Sequence, residues 1–273
     1  MKNRLIITGG LGNQMFEYAF LLSLRNKGHK VMMDTSYYDY VKMHNGYELE
    51  RVFGIKECIV NRQGLHVLWL RLLNRFRPKC LYMADDMTFT PDCLNKPGIY
   101  LWGYWQDERY FKEIDGVVRN AFQFHNIDGY NQAVAQEIAK KCSVSLHVRR
   151  GDYAEFGMNI IGEEYYNKAI EHIRAYVGED PYFYIFSDDA EAAKGIAEKM
   201  KIRYSLISHN RGDDSYKDMY LMSKCKHNII ANSSFSWWGA WLNNNKGKIV
   251  LAPNIWDAKN LFFKPQCGNW ILI

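Results

Sequence analysis

The sequence lacks a long apolar run, a paired cysteine motif and a strong excess of either charge. Its longest stretch without Asp, Glu, Lys or Arg, residues 227–245, is rich in Asn and Ser and predicts no membrane span. The 6 cysteines include no C-x-x-C and no histidine pair at zinc spacing, which excludes a zinc finger and a disulfide miniprotein. Proline is scarce, at 6 residues against 20 glycines. We therefore expect an ordered, reduced, cytoplasmic protein.

Charge and aromatic content narrow the class of ligand. The net charge of +5 suits an anionic ligand or membrane surface but is too small to indicate nucleic-acid binding. Aromatic residues make up 15% of the chain, a content that is common where apolar sugar faces are bound.

Strands and helices are predicted to alternate in two blocks of the chain. The first block has strands at 5–8 and 29–33 around a helix at 15–24, and the second has strands at 144–148, 182–186, 228–231 and 249–252 with helices at 163–176 and 189–200. Such alternation predicts parallel sheets. The predicted fold is α/β, with two Rossmann-like domains (1–140 and 141–273) facing a cleft and the extreme C-terminus packing back on the first domain.

A glycine-rich loop separates the first predicted strand from the first helix. Gly10 and Gly12 match two glycines of a dinucleotide fingerprint, but Met15 occupies the third position, where its bulk opposes close helix–strand packing. A dehydrogenase is therefore disfavoured. Backbone N–H groups at a helix N-terminus suit phosphate or sugar hydroxyls, and a plain tight turn is the alternative. The predicted cleft residues are Gly10, Gly12, Asn13 and Gln14.

Two adjacent arginines, Arg149 and Arg150, follow the predicted strand 144–148. Arginines at the carboxyl end of a strand form bidentate contacts to a diphosphate, and Asp152 is placed to hold one guanidinium. A structural salt bridge is the alternative. The Arg-Gly-Asp tripeptide here is not expected to act in cell adhesion, since it directly follows a core strand.

Asp188 and Asp189 follow the next strand and could suggest a metal-binding carboxylate pair. Asp188 and Glu191 have the spacing of a helix capping box, however, and acidic residues are favourable in a first helical turn. We therefore predict capping and no metal at this position.

A dense polar cluster, Asn232-Ser233-Ser234-Phe235, lies where a strand gives way to a helix. Hydroxyls crowded at a helix start are typical of phosphate binding. Simple N-capping is the alternative, although it explains one serine and not the cluster.

The segment 65–76 mixes apolar residues with Arg71 and Arg75. It could lie as an interfacial helix on anionic lipid, which would give the protein peripheral contact with the inner membrane face. The alternative, favoured here, is a helix packed on the core with both arginines extended to solvent.

Four motifs together resemble the bacterial α-1,2-fucosyltransferases of glycosyltransferase family 11. They are the glycine loop from Gly9, the segment 147–153, Phe-Ser-Asp-Asp at 186–189, and the segments 218–223 and 232–243, in that order. The resemblance implies a GT-B-type fold that binds GDP-fucose mainly in the second domain without a metal or other cofactor.

The same resemblance implies roles for single residues. Arg149 is expected at the β-phosphate with Arg150 in support, and His147 and Asp218 at the guanine nucleoside. The serine cluster is expected at the phosphates. The implied donor-binding set is His147, Arg149, Asp218, Asn232, Ser233, Ser234 and Phe235.

The implied reaction is an inverting transfer of fucose to the 2-hydroxyl of a terminal galactose in an oligosaccharide or O-antigen-like surface glycan. Such a displacement benefits from a carboxylate that deprotonates the acceptor late, and Asp152, Glu155 and Asp34 are candidates. Trp102, Tyr104 and Trp105 are either acceptor-side or ordinary core aromatics. The alternative functions are another nucleotide sugar or linkage on the same fold, or a non-catalytic carbohydrate- or nucleotide-binding relative.

Overall fold

The computed structural model describes residues 3–42, 44–57, 81–83, 87–95, 100–150, 161–178 and 180–273. The chain divides into two compact units, Met1–His125 and Asn126–Ile273. The sequence-based boundary at residue 140 would assign a helix at Gly129–Ala139 to the first unit. In the structure this helix packs in the second unit, because Ala135 and Ile138 join that unit's apolar core.

A four-stranded parallel sheet forms the first unit. Its strands are β1 (Asn3–Ile6), β2 (Val31–Asp34), β3 (Leu81–Met83) and β4 (Tyr100–Trp102), in the order β2-β1-β4-β3. Its described helices are α1 (Leu11–Asn26), α2 (Leu49–Phe53), α3 (Asp92–Asn95) and α4 (Asp115–Ala121), with 3-10 turns at Ser36–Asp39, Glu108–Tyr110 and Lys112–Ile114. The predicted strand–helix–strand opening is confirmed.

The second unit contains a six-stranded parallel sheet. Its strands are β5 (Ser143–Val148), β6 (Tyr182–Ser187), β7 (Arg203–Ile207), β8 (His227–Ile229), β9 (Val250–Ala252) and β10 (Ile271–Leu272), in the order β10-β9-β8-β5-β6-β7. Its described helices are α5 (Gly129–Ala139), α6 (Glu163–Val177), α7 (Ala190–Lys199), α8 (Tyr216–Lys224) and α9 (Ser234–Trp241), with a 3-10 turn at Gly212–Asp214. β10 pairs with β9, so the extreme C-terminus completes this sheet.

The central strands β5 and β6 of the second sheet are buried on both faces, because helices cover both. Val144, Leu146 and Val148 of β5 pack with Tyr166 and other residues of α6. Side chains alternate along a strand, so His147 points to the opposite face. On that face, Phe186 of β6 packs with residues of α5 and α8. Two apolar layers thus hold the carboxyl end of β5 in place.

Candidate active site

The carboxyl ends of β5 and β8 lie side by side in the second unit. β5 pairs with β8 on one edge and with β6 on the other, and Leu146 is in register with Ile229. The chain runs from β5 outward through β6 and β7 and then returns to β8, so the strand order switches direction between β5 and β8. Ligands of open α/β sheets bind at such a point. It brings the arginine motif after β5 beside the serine cluster after β8.

Arg149 is held by a carboxylate from the neighbouring strand. Its Nε lies 3.1 Å from Oδ2 of Asp188, and the backbone N–H of Arg150 donates to Oδ1 of the same residue at 3.0 Å. The hydroxyl of Ser187 donates to the Val148 carbonyl at 2.8 Å, which ties β6 to the same turn. An ion pair of this kind orients a guanidinium. A salt bridge, the alternative given for this motif, is therefore present with Asp188 as the acid, and it positions an arginine at the switch point.

The prediction of a capping box at Asp188 is wrong by one residue. The N-cap of α7 is Asp189, whose carboxylate accepts a hydrogen bond from the Ala192 N–H at 3.0 Å. Asp188 points to the arginine turn instead. Asp189 therefore caps α7, whereas Asp188 forms the ion pair with Arg149.

His147 provides a neutral ring beside this turn. The side chain is buried, and its Nδ1 has no hydrogen-bond partner among the described residues. Burial, reinforced by the nearby Arg149 cation, lowers the pKa of His147 to about 3. The ring centroid lies 6.2 Å from that of Phe235 in the first turn of α9. A neutral imidazole with an unused ring nitrogen can donate to or accept from a ligand.

The N-terminus of α9 carries the serine cluster. Ser233 is the N-cap residue, and its carbonyl accepts from the Trp237 N–H at 3.0 Å. Its side chain makes no capping hydrogen bond, so the simple capping alternative does not apply to Ser233. Ser234 and Phe235 are partly exposed. Backbone N–H groups and the dipole at such a helix start favour an anion.

Asn232 and the tryptophans anchor α9. The Asn232 amide donates to the Trp256 carbonyl at 3.0 Å, which gives this buried side chain a structural task. The indole of Trp237 donates to the Pro265 carbonyl at 2.8 Å and packs against Trp270 with ring centroids 5.3 Å apart. The helix that presents the serines is therefore rigidly mounted.

Asp218, in the first turn of α8, belongs to a network that the sequence analysis missed. Its Oδ1 accepts from the Asn210 amide at 2.8 Å, and Asn210 exchanges two hydrogen bonds of 3.0 Å with Asn131 of α5. Burial raises the pKa of Asp218 to about 7, against the opposing effect of the Asn210 bond. Asn131 and Asn210 lie far apart in the chain, so no local pattern could have joined them to Asp218.

The glycine loop of the first unit is held by side chains of α1. Gly9 has φ +71, a left-handed conformation that favours glycine. The buried Gln14 donates to the Gly9 carbonyl at 3.1 Å and to the Gly46 carbonyl at 2.8 Å, and accepts from the Glu48 N–H at 2.9 Å. Gln14 therefore connects the glycine loop to the turn at Gly46 and Glu48. The Asn13 Oδ1 accepts from the Gln106 amide at 2.7 Å, and Gly12 is buried within the first turn of α1.

The remaining residues singled out in the sequence have various positions in the structure. Trp105 is a core residue, since it is buried and its ring is stacked on that of Phe20 with centroids 4.0 Å apart, whereas Trp102 is partly exposed and Tyr104 is exposed. The buried Asp34 carboxylate accepts from the Ser36 N–H and hydroxyl, at 3.1 and 2.6 Å. Asp152, Glu155 and the segment 65–76 lie outside the described residues.

Within the described ranges, none of the helices combines the length and hydropathy needed to cross a bilayer. The described side chains also bring together no group of three or more His, Cys, Asp or Glu that could hold a metal ion. Among the described cysteines, Cys93 and Cys225 are free thiols.

Comparison with known proteins assigns the family. Residues 2–272 match the sequence model of Glycosyl transferase family 11. The chain belongs to glycosyltransferase family 11. The match spans both units and all four motifs singled out above, including the glycine loop of the first unit and the arginine and serine motifs of the second.

Relatives of this family 11 chain include two from Escherichia coli. An alpha-1,2-colitosyltransferase is 31% identical over 98% of this chain and 97% of the relative, and the O-antigen biosynthesis glycosyltransferase WbnK is 32% identical over 97% and 98%. The human galactoside alpha-(1,2)-fucosyltransferase 1 is 25% identical over 96% of this chain and 72% of the human protein.

Two solved structures are similar in fold to the family 11 chain. The fucosyltransferase NodZ from Bradyrhizobium has a TM-score of 0.52 at 14% identity, covering 88% of this chain and 91% of that one. A mutant of Arabidopsis thaliana FUT1 in complex with GDP has a TM-score of 0.55 at 12% identity, covering 94% and 71%. With its two α/β units and parallel sheets, the chain has a GT-B-type fold.

Proposed function

We propose that this glycosyltransferase moves L-fucose from GDP-β-L-fucose to the 2-hydroxyl of a terminal galactose in an oligosaccharide or O-antigen-like glycan, with inversion and without a metal. The observation that carries the proposal is the convergence of Arg149, held by Asp188, with the N-terminus of α9 at the switch point of the second sheet. Both features favour a diphosphate. The names of the relatives support α-1,2 transfer of a 6-deoxy sugar.

The proposed donor site distributes its tasks among the residues described above. Arg149 and Arg150 bind the diphosphate, with Ser233, Ser234 and the first N–H groups of α9. His147 and Asp218 contact the guanine nucleoside, where a carboxylate suits the N–H donors of the base. Asn232 acts by holding the loop before α9 through the Trp256 carbonyl.

The chemistry follows from where charge develops. As the bond between the fucose C1 and the phosphate oxygen breaks, positive charge grows on the sugar. The electron pair of that bond leaves with GDP. The preorganised guanidinium and helix N-terminus stabilise that departing charge. The acceptor oxygen forms the new bond from the opposite face of C1, which inverts the configuration, and its proton passes to a base.

A second donor is favoured by the similarity to the colitosyltransferase. Colitose is fucose without its 3-hydroxyl, so the two donors share GDP and differ at one polar group. Pockets discriminate strongly only when they are built to hydrogen-bond the differing hydroxyl. The comparison of GDP-fucose with GDP-colitose as donors therefore decides between these two candidates.

The first test is GDP release from GDP-fucose with lactose as acceptor and excess EDTA, followed by identification of the linkage in the product. We expect acceptor-dependent release and an α-1,2 product in the presence of EDTA. Faster transfer from GDP-colitose would reassign the donor. Loss of activity in EDTA would contradict metal independence, and failure to bind GDP at all would overturn the proposed donor site.

A matched pair of variants tests the anion site. Arg149→Ala is expected to lower kcat about 100- to 1000-fold, the scale for one charge-stabilising donor. Arg203→Ala is the control, because Arg203 forms an ion pair of Nε with Oδ2 of Asp180 at 2.6 Å at the opposite, amino end of the same sheet. The control should keep wild-type activity. An Arg149→Ala variant within threefold of wild type would contradict the assigned role.

A further inference from the structure

Two adjacent tyrosines on α6 differ in whether their hydroxyl groups are hydrogen-bonded within the protein. Tyr165 and Tyr166 are both buried, and their ring centroids lie 5.1 Å apart. The Tyr165 hydroxyl donates to the Ile230 carbonyl at 2.6 Å and lies 3.1 Å from the Leu251 carbonyl oxygen. The Tyr166 hydroxyl, in contrast, has no hydrogen-bond partner among the described residues. The fold therefore uses one of the two phenols and leaves the other unbonded.

A buried hydroxyl without a partner is unfavourable for the fold. Its hydrogen bonds to water are lost on folding and are not replaced. Phenylalanine would fill the same space without that loss. Nearly all buried polar groups of native proteins are hydrogen-bonded, so an exception indicates a partner that the protein alone does not supply. The Tyr166 hydroxyl is such an exception.

The Tyr166 hydroxyl lies next to the arginine turn that follows β5. Tyr166 packs with Val148, the last residue of β5. Burial raises the pKa of Tyr166, and the Asp188 carboxylate adds to the rise, whereas the Arg149 backbone N–H and the Arg150 cation oppose it. The phenol therefore stays protonated at neutral pH and remains a hydrogen-bond donor.

Unbonded polar atoms of three buried or partly buried side chains gather at this strand end. The His147 Nδ1, the Arg150 Nε and the Tyr166 hydroxyl all lack a hydrogen-bond partner among the described residues. Side chains alternate along β5, so His147 lies on the face opposite to Val148 and Tyr166. Donors that approach one strand end from both faces are suited to a ligand with several acceptor oxygens.

We propose that the Tyr166 hydroxyl donates a hydrogen bond to a phosphate oxygen of the bound nucleoside diphosphate, an inference that rests on the proposed donor site. Arg149 and Arg150 are only partly buried. A diphosphate that draws their guanidinium groups toward itself also uncovers the hydroxyl between them and α6. The proton stays on the phenol, and the hydrogen bond strengthens as negative charge grows on the departing GDP.

The test is Tyr166→Phe in the full-length protein, which removes the hydroxyl and keeps the ring. A hydrogen bond to a charged group is worth about ten- to 100-fold in affinity, so the Kd for GDP should rise by about that factor. The kcat/KM for GDP-fucose should fall at least as much. Guanosine lacks the phosphates and should bind wild type and variant equally in an NMR titration. Without ligand, the free energy of unfolding in urea should not fall, because no hydrogen bond is lost.

The matched control is Tyr165→Phe, the same substitution one position earlier. It removes a hydroxyl that is bonded within the protein, so it should lower the free energy of unfolding and leave the Kd for GDP unchanged.

Unchanged GDP affinity in Tyr166→Phe would overturn the proposal. Equal weakening of GDP and guanosine binding would also overturn it, because the hydroxyl would then support the site as a whole and not the phosphates. A wild type that fails to bind GDP would refute the proposed function, and this inference with it.

Discussion

Polar side chains of the second unit differ in whether their donor and acceptor atoms already have hydrogen-bond partners within the protein. The Asn232 amide is bonded within the protein, whereas His147 retains a buried ring nitrogen with no partner among the described residues. Burial also opposes the ionised form of Asp218, whose pKa rises to about 7. Burying polar groups without full compensation lowers stability. Such residues are the ones we expect to bind the donor.

Asp218→Asn should therefore stabilise the protein while weakening GDP binding. An unfolded aspartate has a pKa of about 3.9. Between pH 4 and 7 the native state then binds more protons than the unfolded state, so wild-type stability falls as pH rises. The variant does not titrate at this position. The free energy of unfolding of the variant, measured in urea relative to wild type, should rise by about 2 to 3 kcal/mol from pH 5 to pH 8.

His147 changes the free energy of unfolding with pH in the opposite direction to Asp218. The Asp218→Asn variant is therefore compared with wild type at each pH, because both proteins contain His147. The lowered pKa of His147, about 3, means that the unfolded state binds more protons below about pH 6.5, so this stability is lost as pH falls. The matched control is Asp213→Asn, which removes a carboxylate from an exposed residue. A stability advantage of Asp218→Asn that shrinks with rising pH would contradict the assigned protonation.

Two helices of the second unit carry proposed donor-binding residues at their N-termini, Asp218 on α8 and Ser234 on α9. The helices α8 and α9 approach each other closely at Gly239 of α9. A Cβ added to this glycine would lie only 2.9 Å from the Cβ of Met222 in α8. The neighbouring atom is next to the backbone of α8, so it has little freedom to move. This glycine therefore sets the separation of the two helices.

Gly239→Ala is expected to force α8 and α9 apart. Overpacking of this kind costs about 1 to 3 kcal/mol, and GDP binding should weaken at the same time. Gly195→Ala in α7 is the control, because no atom lies within 4 Å of its added Cβ. Replacing an exposed helical glycine by alanine should stabilise by up to about 1 kcal/mol. Urea unfolding and GDP titration of both variants measure these effects, and an unaltered Gly239→Ala would contradict the packing argument.

On the scale of the whole molecule, the chain divides into two compact units, each with its own sheet. The proposed donor residues all belong to the second unit, whereas the glycine loop belongs to the first. Ligand binding stabilises the native state that it selects. GDP alone should therefore affect the two units unequally.

Hydrogen exchange with and without GDP tests this expectation. At a GDP concentration about 100 times its Kd, binding raises the free energy of unfolding by about 2.7 kcal/mol. The largest gain in protection should occur in peptides covering 143–150 and 232–241, with a smaller change in 3–26. Arg149→Ala should abolish the gain at the same GDP concentration. Protection confined to the first unit would contradict the donor assignment.

The sequence by itself determined the alternation of strands and helices, the parallel sheets and the position of the main motifs at strand ends. These features depend on apolar periodicity and on glycine or serine at chain reversals, and both are local. The predicted strand 144–148 and helix 163–176 differ from β5 and α6 by one residue at one end. Local rules also misplaced the cap of α7 by one residue, since either aspartate could serve.

Only the tertiary structure decided which side chains meet. Asp188 reaches Arg149 because β6 lies beside β5 in register, and Asn131 joins Asp218 through Asn210 because α5 packs against α8. Likewise, glycine at position 10 leaves room for the ring of His44, which a turn more than 30 residues later brings to it. Sheet order and helix packing set these contacts, and neither is encoded in the spacing of neighbouring residues.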